Sequence, residues 1–279
     1  MILLNPGPTN TRFMTKLYQW IGSDKCHRES DFKDILTGLQ ENLLSKVFPE
    51  KTGRIAIMGG SGTAAMEAMI SSLAPKGITA ISAGNYGKRA ISILDAFKIE
   101  HKIISSKTID DLSYDENIKF VYFVENETST CEHYSLKNMC QIYPNAKFFI
   151  DATSSFGASD YYVKYSDRIA GLSFCSNKCL QSTPGLGIVI WNEEIGTHKR
   201  SFYGDLSKYN IGKLPFTLPV QSVYALKYTV SKNSSNKESF DLRRDRLIKE
   251  LSSFGITCLN KHPANSIIAF RHPNRSYDQ

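Results

Sequence analysis

Apolar residues recur at helical spacing over residues 31–48, where Phe32, Ile35, Leu36, Leu39, Leu43 and Leu44 fall along one face and predict an amphipathic helix. The period then changes. Arg54-Ile55-Ala56-Ile57-Met58 reads as a strand entering Gly59-Gly60-Ser61-Gly62, with a helix expected over 63–73. A strand at 78–81, a Gly84-Asn85-Tyr86-Gly87 turn and a helix through Ile91, Leu94 and Phe97 repeat the unit. Runs at 119–124, 147–150, 170–175 and 187–191 are apolar almost throughout, the pattern of strands buried on both faces. This order predicts an α/β domain around a mostly parallel sheet, and such sheets collect ligands at the carboxyl ends of their strands.

Beyond Trp191 the chain becomes loop-rich, with Gly204, Gly212, Pro215 and Pro219, before helical patterns resume at 221–230 and 240–254. The stretch 231–239 is polar and suits an exposed joint. Two short strands are expected at 256–258 and 266–270. The chain therefore divides into a large domain over 1–235 and a small α+β segment over 236–279.

Composition narrows the function classes. No apolar run approaches the roughly 20 residues a membrane helix needs, and the first residues carry no basic leader, so a cytoplasmic protein without membrane association is expected. The six cysteines include no Cys-x-x-Cys pair, and reduced thiols are expected. Cys175 and Cys179, with His133 elsewhere, do not form the two close ligand pairs of a structural zinc site, so no metal is assigned. The net charge of +7 comes from lysines and arginines scattered among acids. That pattern argues against nucleic acid and suits a small anionic substrate.

Three strand ends carry candidate chemistry. Ser61, Gly62 and Thr63 sit where a strand passes into a helix, so backbone N–H groups and hydroxyls can surround a phosphate at the positive helix end. The turn has neither a P-loop lysine nor a Gly-x-Gly-x-x-Gly pattern. Asp151 ends the run Lys147-Phe148-Phe149-Ile150 and places a carboxylate at the sheet rim. Such an acid can keep a pyridine nitrogen protonated, or simply cap the turn at Ala152-Thr153-Ser154. Lys178 follows a buried strand in Ser173-Phe174-Cys175-Ser176-Asn177-Lys178-Cys179. A lysine there is paired, turned outward, or used for imine chemistry.

Ser176-Asn177-Lys178-Cys179-Leu180-Gln181 followed by Pro184-Gly185 resembles the Schiff-base lysine motif of 2-aminoethylphosphonate aminotransferases, within the class V group. Pro6-Gly7-Pro8-Thr9, Cys26-His27-Arg28-Glu29, Gly60-Ser61-Gly62-Thr63, Gly84-Asn85-Tyr86-Gly87, Glu127-Thr128-Ser129-Thr130 and Asp151-Ala152-Thr153-Ser154 match the same family in order. The resemblance implies the fold-type I architecture of pyridoxal 5′-phosphate-dependent transferases. It implies that Lys178 carries the cofactor as a Schiff base and moves the substrate proton, and that Asp151 pairs with the pyridinium nitrogen. Ser61, Gly62 and Thr63 would hold the phosphate, Tyr86 would stack on the ring, and Thr128 would bond near the ring hydroxyl. Ser176 or Asn177 would assist the phosphate or orient the lysine. Thr217 resembles a residue lent across a homodimer interface to the partner's phosphate site, although the position also suits a helix N-cap.

The implied reaction exchanges an amino group between 2-aminoethylphosphonate and a 2-oxo acid such as pyruvate, or aminates phosphonoacetaldehyde. A serine or alanine–glyoxylate pair, or a shortened inactive cofactor-binding remnant, stays as the alternative. Family members continue some tens of residues further and supply a substrate-clamping arginine, so the small domain here is expected to be incomplete. Arg12, Arg28 and Arg89 are the remaining anion contacts, each read foremost as a surface or structural arginine. Cys131 stands where the family has a glycine, and a left-handed backbone there would strain a non-glycine residue.

Overall fold

The computed structural model describes residues 9–26, 28–50, 52–159, 161–232 and 237–271, the side chains of 237–239 excepted. Pro6-Gly7-Pro8, His27 and the centre of the polar 231–239 joint lie outside the described residues. The chain opens with helices α1 (Phe13–Ile21) and α2 (Ser30–Ser45). Strand β1 (Gly53–Gly59) runs into α3 (Gly62–Leu73), followed by β2 (Ile78–Ser82), α4 (Asn85–Ala96) and β3 (His101–Ser105). Next come β4 (Phe120–Val124), a short antiparallel pair β5 (Asn126–Glu127) and β6 (Glu132–His133), α5 (Leu136–Ile142) and β7 (Lys147–Asp151). Strands β8 (Ile169–Cys175) and β9 (Leu186–Asn192) complete the main sheet. Helices α6 (Val220–Lys232) and α7 (Lys237–Ser252) precede a second short pair, β10 (Thr257–Cys258) and β11 (Phe270–Arg271).

The sheet runs in the order β1-β9-β8-β7-β4-β2-β3. Only β9 is reversed, pairing antiparallel with both β8 and β1, so the carboxyl ends of β1, β4, β7 and β8 share one edge. Strand alternation explains the two cores. Ile55 and Ile57, Val121 and Phe123, Phe148 and Ile150, and Ile188 and Ile190 face α2, α5 and α6. Ala56 and Met58, Tyr122 and Val124, Phe149, and Val189 and Trp191 face α3 and α4. Helices on both faces demand apolar side chains at every strand position, which is why these strands read as continuous hydrophobic runs. Truncating a core residue such as Leu172 to Ala would cost about 2–5 kcal/mol.

Three elements fall outside those predicted from the sequence. Strand β3 lies at the sheet edge with Ile103 52% exposed, α1 leaves Trp20 84% exposed, and α5 has only seven residues. The strand expected at 266–270 is shorter, since only Phe270 and Arg271 pair with β10. Among the described residues no helix is long and apolar enough to cross a membrane. All six cysteines are free thiols.

Candidate active site

The shared carboxyl edge of the sheet encloses a cavity of about 170 Å³. Its first wall is the start of α3. Ser61 is the N-cap in extended conformation and accepts from the Ala64 N–H at 3.4 Å. A Cβ on Gly62 would lie 3.0–3.1 Å from the Thr153 side chain, so glycine lets the helix start close against the loop after β7. Ser61, Gly62 and Thr63 all line the cavity, at the end of α3 that carries partial positive charge.

Asp151, the last residue of β7, lines the opposite side and is 2% exposed. The Thr153 N–H donates to its Oδ1 at 2.9 Å. Burial raises its pKa to about 6, while Thr153 and the charge of Arg89 act in the other direction. At neutral pH the site thus holds a buried carboxylate, which favours a cationic partner.

Helix α4 supplies the next wall. Its N-cap is Gly84, which has no side chain to satisfy the first-turn N–H groups. Glu127, fully buried, does this from another loop: Oε2 accepts from Gly87 N at 3.0 Å and Oε1 from Tyr86 N at 3.3 Å. Oε1 also accepts from Ser129 N and Oγ. This cap fixes Tyr86 and Arg89 at the cavity. The Arg89 guanidinium lies 4.8 Å from the Tyr86 ring centroid and donates to Thr63 Oγ1 at 2.9 Å. Arg89 is thus an exposed residue that also lines the cavity, the only one of the three candidate arginines placed there. Arg28 is exposed, and Arg12 lines a separate small hollow beside α6.

Lys178 reaches the cavity from the loop after β8, with Asn177 beside it. Gln181 N donates to Lys178 O at 2.8 Å, and the Thr9 hydroxyl donates to the carbonyls of Asn177 and Lys178. Ser176 does not line the cavity. Its fully buried hydroxyl donates to Thr183 O at 2.6 Å and braces the loop that carries the lysine. Burial pushes the Cys175 thiol up to about 11 and Cys179 up to about 12, so both remain protonated neighbours. Thr128 lines the cavity and shares a 2.8 Å hydrogen bond with Ser154 Oγ. Cys131 closes its turn with φ +57°, the left-handed conformation anticipated there. Thr217 is exposed and does not contribute to the cavity of its own chain.

No family model matches the chain. It is 30% identical to an uncharacterised aminotransferase of Methanocaldococcus jannaschii, over 86% of this chain and 69% of that protein. The chain belongs to the class V aminotransferases. A 2-aminoethylphosphonate–pyruvate transaminase of Phocaeicola vulgatus is 26% identical over 99% of this chain and 85% of its own length. The solved aspartate aminotransferase of Thermus thermophilus, 19% identical, shares the fold with a TM-score of 0.86 over 98% of this chain and 83% of that one. Class V aminotransferases of this kind depend on pyridoxal 5′-phosphate. In this class V chain the role that sequence reasoning missed is that of Glu127 as the cap of α4. One sign was available for Glu127: a helix starting at Gly84-Asn85 without a local cap needs an acceptor from elsewhere.

Proposed function

We propose that the chain exchanges an amino group between 2-aminoethylphosphonate and a 2-oxo acid such as pyruvate, in either direction. The observation that carries this reading is the convergence of Lys178, Asp151 and the start of α3 on one cavity. An amine, a buried carboxylate and a helix N-terminus match the aldehyde, the pyridine nitrogen and the phosphate of pyridoxal phosphate in chemical kind. The fit is supported by the chemistry of the donor set and by the close approach that Gly62 permits. When bound, the cofactor supplies an electron sink for the carbon that loses its proton.

This chain's residues do the rest. Ser61, Gly62, Thr63 and Arg89 hold the phosphate. Asp151 keeps the ring nitrogen protonated, and that cation in turn relieves the unfavourable burial of its carboxylate. Tyr86 covers the ring and Thr128 meets its hydroxyl. Lys178 would hold the cofactor through its amine and would carry the proton to and from the substrate carbon. The phosphonate class of substrate is supported by the name of the Phocaeicola relative and by the cationic character that Arg89 and α3 lend the cavity.

A homodimer with shared sites belongs to the same reading. Thr217 adjoins an aromatic patch in which Phe202 is 79% exposed and packs near Phe216, and the Tyr203 hydroxyl donates to Gly59 O just before the α3 turn. A second copy seated on that patch would bring its Thr217 beside the phosphate end. A cytoplasmic setting suits the free thiols.

The test is spectral. Protein loaded with pyridoxal phosphate should lose its bound-cofactor absorption on adding 2-aminoethylphosphonate and recover it with pyruvate. An unchanged spectrum with cofactor still bound would refute the substrate, and a parallel panel of serine, alanine and glutamate would find the donor that replaces it.

A further inference from the structure

A single backbone carbonyl joins the loops that form the cavity. Ser154 O accepts from the Asn126 side-chain amide at 3.0 Å, from the Cys179 thiol at 3.2 Å and from the Ser266 hydroxyl at 2.5 Å. Each donor has a different origin. Asn126 opens the turn after β4, Cys179 adjoins Lys178, and Ser266 lies between β10 and β11. Ser154 itself follows Asp151 by three residues. The loop bearing the carboxylate and the loop bearing the amine therefore meet at this oxygen.

Ser266 contributes twice. Besides donating to Ser154 O, it accepts from Asn126 Nδ2 at 2.9 Å. The Asn126 amide is thereby oriented, with Nδ2 toward two acceptors and Oδ1 accepting from His133 Nδ1 at 2.7 Å. Desolvation lowers the His133 pKa to about 4, so its ring is neutral and serves as a fixed donor at physiological pH. The surrounding segment is seated on the β5–β6 turn and on the loop after β7. Asn260 Nδ2 donates to Thr130 O at 2.8 Å, His133 N to His262 O at 3.1 Å, and Asn265 Nδ2 to Ala158 O at 3.0 Å.

We propose that Ser266 is a positioning residue that sets the spacing between the Asp151 and Lys178 loops, so that the C-terminal segment takes part in cofactor binding without touching the cofactor. This rests on the reading of Asp151 and Lys178 as the two groups that grip pyridoxal phosphate. Without the Ser266 hydroxyl, Asn126 loses one of its two acceptors, and Ser154 O keeps only the Cys179 thiol, a weak donor, and an amide now held at Oδ1 by His133 alone. A ligand engaging both loops is sensitive to that slack, whereas a ligand engaging one loop is not.

The two forms of the cofactor make this measurable. Pyridoxal 5′-phosphate engages Asp151 and Lys178 together, while pyridoxamine 5′-phosphate has an amine in place of the aldehyde and forms no bond to the lysine. Dissociation constants for both are measured on the full chain and on Ser266→Ala, Ser266→Cys and Ser266→Thr, with thermal unfolding of each cofactor-free protein. Ser266→Ala is expected to weaken pyridoxal phosphate about tenfold and pyridoxamine phosphate less than about threefold, the size of one or two lost hydrogen bonds. Ser266→Thr, which keeps the hydroxyl, should stay within about twofold, with Ser266→Cys between the two. If Ser266→Ala does not fold, the Cys variant carries the same comparison. Equal losses for both cofactor forms, or no loss for either, would overturn the positioning role. Failure of the unsubstituted chain to bind either form would instead defeat the cofactor reading on which it rests.

Discussion

Exchanging Glu127 for Gln places an amide donor in a buried position that four donors address. The carboxylate is fully buried and accepts four hydrogen bonds, three at Oε1 and one at Oε2 from Gly87 N. A Gln that keeps its oxygen in the three-donor position turns its NH₂ toward the buried Gly87 N–H. One charge-assisted bond is lost and one donor is left unsatisfied, a cost of about 2 kcal/mol. Ala removes all four bonds and leaves the first turn of α4 uncapped, for about 4 kcal/mol. For a chain of this size the Gln variant should melt roughly 4–8 °C lower. Urea unfolding of the cofactor-free protein reads the stability directly. Cofactor affinity should fall in the same order, because Tyr86 and Arg89 ride on the turn that Glu127 holds. A Gln variant within about 0.5 kcal/mol of the unsubstituted protein, with unchanged affinity for pyridoxal phosphate, would refute this account of the α4 cap.

Asp151→Asn should weaken pyridoxal phosphate by about 10- to 100-fold, while the cofactor-free protein loses no stability at pH 8 because a buried charge is gone; equal affinity in a fluorescence titration would contradict the pairing. Burial raises Glu125 to about 7, against the opposing bond from the Tyr162 hydroxyl. The folded state therefore holds that proton more tightly than the unfolded state, and stability from this group is lost as pH rises toward 7. Relative to Glu125→Gln, the natural chain should gain about 2 kcal/mol as pH falls from 8 to 5, measured by urea unfolding across that range. Cys131→Gly should stabilise the protein by about 1 kcal/mol through relief of the positive φ, and Cys131→Ala should not.

Strands β1, β2, β4, β7, β8 and β9 were legible because burial on both faces leaves no place for polar residues. Asp151, Lys178 and the start of α3 were legible for a related reason: each polar group stands where such a run stops. Edge strand β3 and helix α1 were not: β3 has no buried residue to set an alternation, and α1 is only nine residues long with Thr15 alone buried. Arg89 could not be told from Arg12 and Arg28 as an anion contact, because an arginine on an amphipathic helix has the same local sequence whether or not it borders a cavity. Only the meeting of α4 with α3 brings its guanidinium to Thr63.

By itself, then, the amino-acid sequence determined the layered α/β architecture and the three polar strand ends, which depend on period and on contacts near in the chain. The family came from the resemblance of its motifs. The tertiary structure alone decided that Glu127 caps α4, that Ser176 turns away from the cavity and that Ser266 reaches Ser154 from 112 positions distant. Hydrogen bonds between distant loops leave no periodic trace. A serine or glutamate acquires its role from the donor or acceptor that folding places opposite it.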